Sequence, residues 1–351
     1  MNYQYINGTD TVSEGFRKTN ENFQSVPDTT EVLEKANKYA DTKKSEAVEE
    51  SKEYTNATIF NPNLLINSGF DVWQRGESFT ITKSQTCTAD MWICRYTNCT
   101  IQKVSTGLPL FPNGLQYINN GDTSNYNVVY QPLANYEKYT GETLTFSFFI
   151  KGTPGRTLYC YIGNVRVATI TLTDTFTKYI FTRENVIFGD NFYKGVAFNT
   201  AGLGFNTGEG FTITGCKLEV GNVATANIPE DTTIELLKCY ARTYILKWKS
   251  GYYQYGTGYA LGNNRALIVL KLPVPMVKTP TITFTDDYSN VYFYDTGPKR
   301  TVSSISVDFY SYTSQSIIVT SNTTNLTSGS GIVLNATGAG LEITLDAMDY
   351  S

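Results

Sequence analysis

Leu144-Thr-Phe-Ser-Phe-Phe-Ile150 decides the fold class of this chain. Leu144, Phe146, Phe148 and Ile150 recur at every second position, so an extended backbone puts all four on one face. A helix would throw them onto opposite sides. Working outward, Val165-Arg-Val-Ala-Thr-Ile170 and Gly210-Phe-Thr-Ile-Thr214 repeat the alternation. Between such runs stand Gly121-Asp122, Pro154-Gly155, Gly163-Asn164 and Gly189-Asp190-Asn191, residues that pre-set or tolerate turn dihedrals.

Residues 62–228 are therefore expected to form one antiparallel sandwich of jelly-roll type. A second β region follows at 245–351. Ala266 to Leu272 is apolar on both faces and is expected to lie centrally, while Ser304–Phe309 and Leu341–Leu345 alternate cleanly. Residues 321–340, rich in Asn, Thr, Ser and Gly, read as an exposed loop or slim hairpin. The fold class expected is mostly β: an N-terminal helical stalk, then two antiparallel β-sandwich, jelly-roll-like domains.

The first sixty residues change period. Thr11-Val-Ser-Glu14 has capping-box spacing, Phe16 and Phe23 fall a heptad apart, and Pro27 closes a short helix within a head of residues 1–28. Residues 29–61 hold the clearest helix, over 29–58, which no Gly or Pro interrupts before Asn61-Pro62. Seven acidic and five basic residues alternate along it, leaving Leu33, Ala36, Ala40, Ala47, Tyr54 and Ala57 as a thin inner stripe. So thin a stripe does not hold a lone helix in water. A coiled coil with other copies of the chain is the expected home, with packing onto the chain's own β domain as the rival. A connecting helix is expected at 229–244, where Thr232 and Glu235 repeat the capping-box spacing.

Composition excludes several classes. With 28 basic and 32 acidic residues in 351, net −4, and no basic stripe, nucleic acid is not the expected partner. No apolar run reaches membrane-spanning length, and the N-terminus is too polar for a signal peptide, so no membrane insertion is expected. The chain contains no histidine. That removes Ser–His and Cys–His nucleophile pairs and leaves paired carboxylates as the accessible hydrolytic chemistry. The adjacent pairs Asp286/Asp287 and Glu230/Asp231 read as turn and cap residues, and no enzymatic activity is expected. Six cysteines without a C-x-x-C pair read as buried reduced thiols; neither a metal site nor a cofactor is expected.

One stretch carries a family likeness. Asn63-Leu-Leu-Ile-Asn-Ser-Gly-Phe-Asp-Val-Trp-Gln-Arg-Gly76, followed by Thr88-Ala-Asp-Met-Trp92, resembles the opening of the jelly-roll, carbohydrate-binding-like domain of phage tail fibre and receptor-binding proteins, also found in phage-tail-like bacteriocins. Lys217–Thr225 resembles that domain's closing strand and turn, Glu235–Tyr244 its following helix, and Pro273–Met276 with Thr279–Thr281 the next domain's strand exit. Cys239-Tyr-Ala-Arg-Thr-Tyr244 departs slightly from the family's usual run. Gly8–Val12 with Lys18–Phe23 is similar to segments that dock fibres on a tail or baseplate.

The likeness implies a tail-borne attachment protein, made in the bacterial cytoplasm and carried in the virion tail or a bacteriocin particle. Residues 1–28 would meet baseplate or other tail proteins, and a homotrimer would present residues 245–351 to host-surface carbohydrate. Two alternatives stand beside it: a baseplate or adaptor protein without receptor contact, and a cell-wall polysaccharide depolymerase.

Among candidate residues, Trp73 and Trp92 read as core, with Arg75 and Asp90 pairing to pin their segment. The ligand candidates are Trp248, Tyr252, Tyr253, Tyr255 and Tyr259, in a glycine-interrupted tyrosine run, and Asp286 with Asp287 in the polar turn Asp286–Tyr292. A tyrosine offers a flat ring with a polar tip at small entropic cost, and a carboxylate can hold sugar hydroxyls.

Overall fold

The computed structural model describes residues 5, 7–9, 11–24, 29–58, 61–95, 98–121, 127–188, 194–247, 252–285, 287–294, 299–310, 313–322, 326–337 and 341–348. The chain divides into two units, 1–60 and 61–351.

The first unit is helical. Helix α1 (Val12–Gln24) opens on the expected capping box: Glu14 N–H donates to Thr11 Oγ1 at 3.3 Å, and Thr11 N–H donates to Glu14 Oε2 at 3.0 Å. Helix α2 (Thr29–Thr58) keeps every side chain from Thr30 to Ser51 exposed. Its ion pairs are local, Lys35–Glu31 and Lys43–Glu46 at 2.6 Å each, and lie in water, where such pairs add little. No described helix is long and apolar enough to cross a membrane.

The second unit opens with a sandwich. Its first strands are β1 (Ser78–Ile81), β2 (Thr86–Cys87), β3 (Ile93–Arg95), β4 (Cys99–Ser105), β5 (Asn113–Asn119) and β6 (Val128–Pro132). After them come β7 (Leu144–Gly152), β8 (Thr157–Ile162), β9 (Val165–Thr171), β10 (Thr177–Arg183), β11 (Gly195–Asn199) and β12 (Gly210–Val220). One sheet runs β1-β4-β5-β12-β7-β10 and the other β2-β3-β6-β11-β8-β9. From β5 onward the strands alternate between sheets in the orders β5-β12-β7-β10 and β6-β11-β8-β9, which is jelly-roll topology. The alternating run 144–150 is the inner strand β7. Its Phe146 and Phe148 are fully buried and meet Phe198 of the opposite sheet at 5.7 and 4.8 Å between ring centroids.

Asn63–Gly76 is a joint, not a strand. Asn67 (φ 54°) and Phe70 (φ 59°) take left-handed backbone, as does Met91 (φ 73°). Non-glycine residues hold such angles only when their surroundings compel them. Here the Asn67 amide binds Val72 and Asp90 from both ends: Nδ2 donates to their carbonyls at 2.8 and 2.9 Å, and Oδ1 accepts from Val72 N–H at 2.9 Å. Trp73 donates to Phe70 O at 2.7 Å and Trp92 to Asn67 O at 3.1 Å, and both rings are core, as expected.

The expected Arg75–Asp90 pairing is present at 4.0 Å, and Arg75 also reaches Asp346 near the chain end at 3.5 Å. Gln74 extends the joint. It donates to Asp90 through both backbone and side chain at 2.7 Å, and its amide bonds Thr243 O and Ile245 N–H. At the sandwich's other end, the buried pair Lys217–Glu219 (3.3 Å) holds Thr225 and so fixes the closing turn.

Helix α3 (Thr232–Tyr240) bears a correction. Asp231, not Thr232, caps it, its carboxylate accepting from Thr233 N–H at 2.8 Å. Glu235 does not complete a capping box: it turns into the protein, buried, and accepts from Asn67 N–H at 2.5 Å. Burial pushes its carboxyl above the ordinary range. With Cys239 and Met348, α3 and the chain end cover the outer face of the β2-containing sheet over Ile93, Tyr130 and Ala197.

The C-terminal β region contains β13 (Thr243–Lys247), β14 (Tyr252–Gly262), β15 (Arg265–Leu270), β16 (Thr281–Phe284) and β17 (Val291–Tyr294). It ends with β18 (Arg300–Tyr310), β19 (Gln315–Ser321), β20 (Gly331–Thr337) and β21 (Glu342–Asp346). The expected second sandwich is instead a closed barrel, β14-β15-β19-β18-β17-β20, beside a three-stranded sheet, β13-β21-β16. Bulges in β14 and β18 add the twist that closure requires. At Gly258 a Cβ would lie 1.7 Å from Leu267 O, so this glycine serves close strand approach, not loop freedom.

Two further expectations change. Strand β15 has two neighbours but a wetted outer face, with Val269 43% exposed, because a closed barrel has only one interior. Within 321–340, Gly331–Thr337 is a full barrel strand, paired to β14 and β17. Its Asn-, Thr-, Ser- and Gly-rich flanks hid the apolar run Ile332-Val-Leu334.

Candidate functional site

Strand alternation, reset by the bulge between Gln254 and Gly256, splits the tyrosine run in two. Tyr252 and Tyr259 face outward, 58% and 47% exposed. Tyr253 and Tyr255 face the barrel core and each other, edge to face at 4.9 Å. Tyr255 is buried and donates its hydroxyl to Leu341 O at 2.6 Å; burial pushes that hydroxyl up to about 12. It is a structural residue, and so withdraws from the ligand candidates. Half-buried Tyr253 adjoins Tyr244, whose hydroxyl is likewise pushed up to about 12, by burial first and then by the neighbouring tyrosines. Trp248 and Asp286 lie outside the described residues.

Asp287 closes an ordinary polar turn. Its Oδ1 accepts from Ser289 N–H at 3.0 Å and from Ser289 Oγ at 2.6 Å, and these bonds hold the carboxyl below its usual range. The other adjacent carboxylates also have local partners: Glu230 pairs with Lys238, and Asp231 caps α3.

Pairing of distant strands assembles a different set around Tyr252. Register places Gln254 beside Asn335, Asn335 beside Tyr292, and Tyr294 beside Val333, so these side chains share the barrel's outer face. Tyr252 donates to Asn335 Oδ1 at 2.6 Å, and Asn335 Nδ2 donates to Val333 O at 3.2 Å. The amide thereby fixes the Tyr252 hydroxyl while leaving its ring in water. Tyr292 and Tyr294 stand edge to face at 5.4 Å, and Lys299 Nζ sits 3.8 Å from the centre of the Tyr292 ring. Tyr294 is 41% exposed.

The result is an outer barrel face with two exposed rings, Tyr252 held from beneath by the buried Asn335 amide and Tyr294 beside the Tyr292 ring that carries Lys299. Such a surface can stack against the C–H face of a pyranose and exchange hydrogen bonds with its hydroxyls. Tyr294, Asn335 and Lys299 escaped sequence reading because they arrive from β17, β20 and the approach to β18. The available signal was Val291-Tyr-Phe-Tyr294, two tyrosines at strand spacing.

No family model matches this chain, and no curated protein does. Among solved structures it is similar to the CBM22-1 xylan-binding domain of Paenibacillus barcinonensis Xyn10C, at 14% identity over 48% of this chain and 99% of that one, TM-score 0.30. It is similar in the same degree to a cyclase from Fischerella sp. TAU, at 12% identity over 46% of this chain and 98% of that one, TM-score 0.31. A family 29 carbohydrate-binding module, CBM29-2, matches at 15% identity over 45% of this chain and 99% of that one, TM-score 0.26. Neighbours this distant, binding modules and an enzyme alike, leave the function to be argued from the chain's own residues.

Proposed function

We propose that this chain is a structural attachment protein of a bacteriophage tail or tail-like particle, one that holds host-surface glycan on the outer face of its C-terminal barrel. The observation that carries the binding half is the two exposed rings of one barrel face, Tyr252, whose hydroxyl is held by Asn335, and Tyr294, edge to face with the Tyr292 ring that carries Lys299. The tail half rests on the ordered motifs at 63–92, 217–225 and 235–244 and on an exposed, charge-alternating α2. In this reading α2 winds with two further copies into a stalk, residues 1–28 dock on the particle, and no cofactor or catalysis is involved. Three weak sites per fibre then act through avidity.

The test compares binding of the full chain and of Tyr252→Ala/Tyr294→Ala to host cells and to an array of cell-wall glycans. Loss of binding by the folded double variant supports the reading, and undiminished binding sinks it. Sedimentation that gives a monomer mass would remove the stalk. The second reading, an adaptor that grips another tail protein, is favoured by the apolar exposure of Leu261 and Val269 beside Tyr259. It predicts that changes there block particle assembly and spare adsorption.

A further inference from the structure

Where the sandwich meets the C-terminal region, a cavity of about 450 Å³ opens between Leu133, Met91, Met348 and Arg242, with Val277 and Lys278 at its rim. That volume falls within the ordinary range for small-ligand pockets, roughly 300–1,000 Å³. Its walls are fixed by backbone hydrogen bonds between distant segments: Val277 N–H to Ala241 O and Ala347 N–H to Arg242 O, both 2.7 Å. The floor is apolar and buried, Met91, Leu133 and Met348 each being at most 6% exposed.

The charges are one-sided. Two cations line the cavity, and among the described residues no carboxylate does. Arg242 is half-buried and gives one hydrogen bond, from Nη1 to Lys238 O at 3.2 Å, against the C-terminal turn of α3. That contact suits a cation at a helix end, but it occupies one of five guanidinium donors. Several other part-buried cations of this unit have carboxylates: Arg75 has Asp90 and Asp346, Arg156 has Glu209, and Lys217 has Glu219. Arg242 has no carboxylate within ion-pair distance among the described residues. A guanidinium removed from water costs free energy unless an anion answers it. Burial accordingly draws Arg242 below its ordinary value.

We infer that this cavity binds a small organic anion, a carboxylate or phosphate on a carbon skeleton with an apolar face. The oxyanion meets Arg242 and Lys278, and the carbon skeleton lies on Met91, Leu133 and Met348. Arg242 can take a carboxylate or phosphate through two parallel N–H donors, which a lysine cannot do. The site is independent of the tyrosine face: Tyr252→Ala should leave it unchanged, so failure of one does not carry the other with it.

The experiment is calorimetric titration of the full chain with D-glucuronate, with glycerol phosphate and, as the neutral control, with D-glucose. Binding of either anion without binding of glucose is expected, and which anion binds identifies the source of the charge. Arg242→Gln should weaken that binding at least about tenfold, and Lys278→Ala roughly two- to fivefold. Equal binding by glucose, equal binding by Arg242→Gln, or no heat from either anion up to about 10 mM overturns the assignment. Should Arg242→Gln fail to fold, Lys278→Glu, altered at an exposed side chain, carries the test. Loss of anion binding with an unchanged melt supports the site, and retained binding overturns it.

Discussion

The sandwich and the barrel are both antiparallel, yet they use their aromatic residues in opposite ways. In the sandwich the conspicuous Trp73 and Trp92 are buried, and one outer sheet face is roofed by α3 and Met348. In the barrel, plainer tyrosines remain on the outside, and a buried asparagine orders one of them. The difference teaches that a memorable motif can mark what the fold needs, while rings in a plainer stretch are the ones left wet.

Substitutions can break that contrast. The largest effect is expected from Trp92→Ala, which empties a fully enclosed indole site and should cost about 3–5 kcal/mol in thermal or denaturant unfolding. Were it to abolish glycan binding without loss of stability, the sandwich would be the binding region and the comparison would invert. Next comes Tyr252→Ala/Tyr294→Ala, expected to weaken glycan binding by roughly 10–100-fold in an array or cell assay. The same change should cost about 1–2 kcal/mol in stability, because the rings are exposed but the buried Asn335 Oδ1 loses its donor.

Tyr255→Phe sharpens the distinction within one strand. It leaves Leu341 O without its donor and should cost about 1–2 kcal/mol in unfolding while binding stays intact. Reduced binding at preserved stability would return Tyr255 to the ligand surface.

The smallest expected effect is pH-dependent. Glu235 and Asp90 have carboxyls raised by burial, the folded form holding the proton more tightly than the unfolded chain. Stability from these two groups is therefore present at low pH and declines as pH climbs upward from the ordinary carboxylate range. Glu235→Gln keeps an acceptor for Asn67 N–H and removes the titration. The stability–pH slope across that window should flatten by under ~1 kcal/mol in total, and an unchanged slope would show that Glu235 is not its source.

Much of this fold was legible in local pattern. Period-two runs announced β7, β9 and β12, and a capping box announced the start of α1, because strand faces and helix ends are set by residues a few positions apart. Patterns failed where a neighbour far along the chain intervened. Asp231 took the cap from Thr232 because Glu235 found Asn67 instead. The apolar run Ile332–Leu334, set in a polar stretch, became β20 because it found β14 and β17.

The candidate site divides the same way. Alternation alone separates Tyr252 from Tyr253, Tyr255 and Tyr259; the bulge between Gln254 and Gly256 moves Tyr259 to the Tyr252 face, and pairing with β20 decides which face meets water. Sequence by itself determined that this chain is mostly β, carries a long charge-alternating helix and lacks the histidine chemistry of common hydrolases. Tertiary structure alone decided that the second β region closes into a barrel, which of its tyrosines stay wet, and that Arg242 faces a cavity with no carboxylate among the described residues. The physical reason is range. Backbone periodicity is written within a few residues, whereas burial and charge pairing depend on partners brought together only when distant strands find their register.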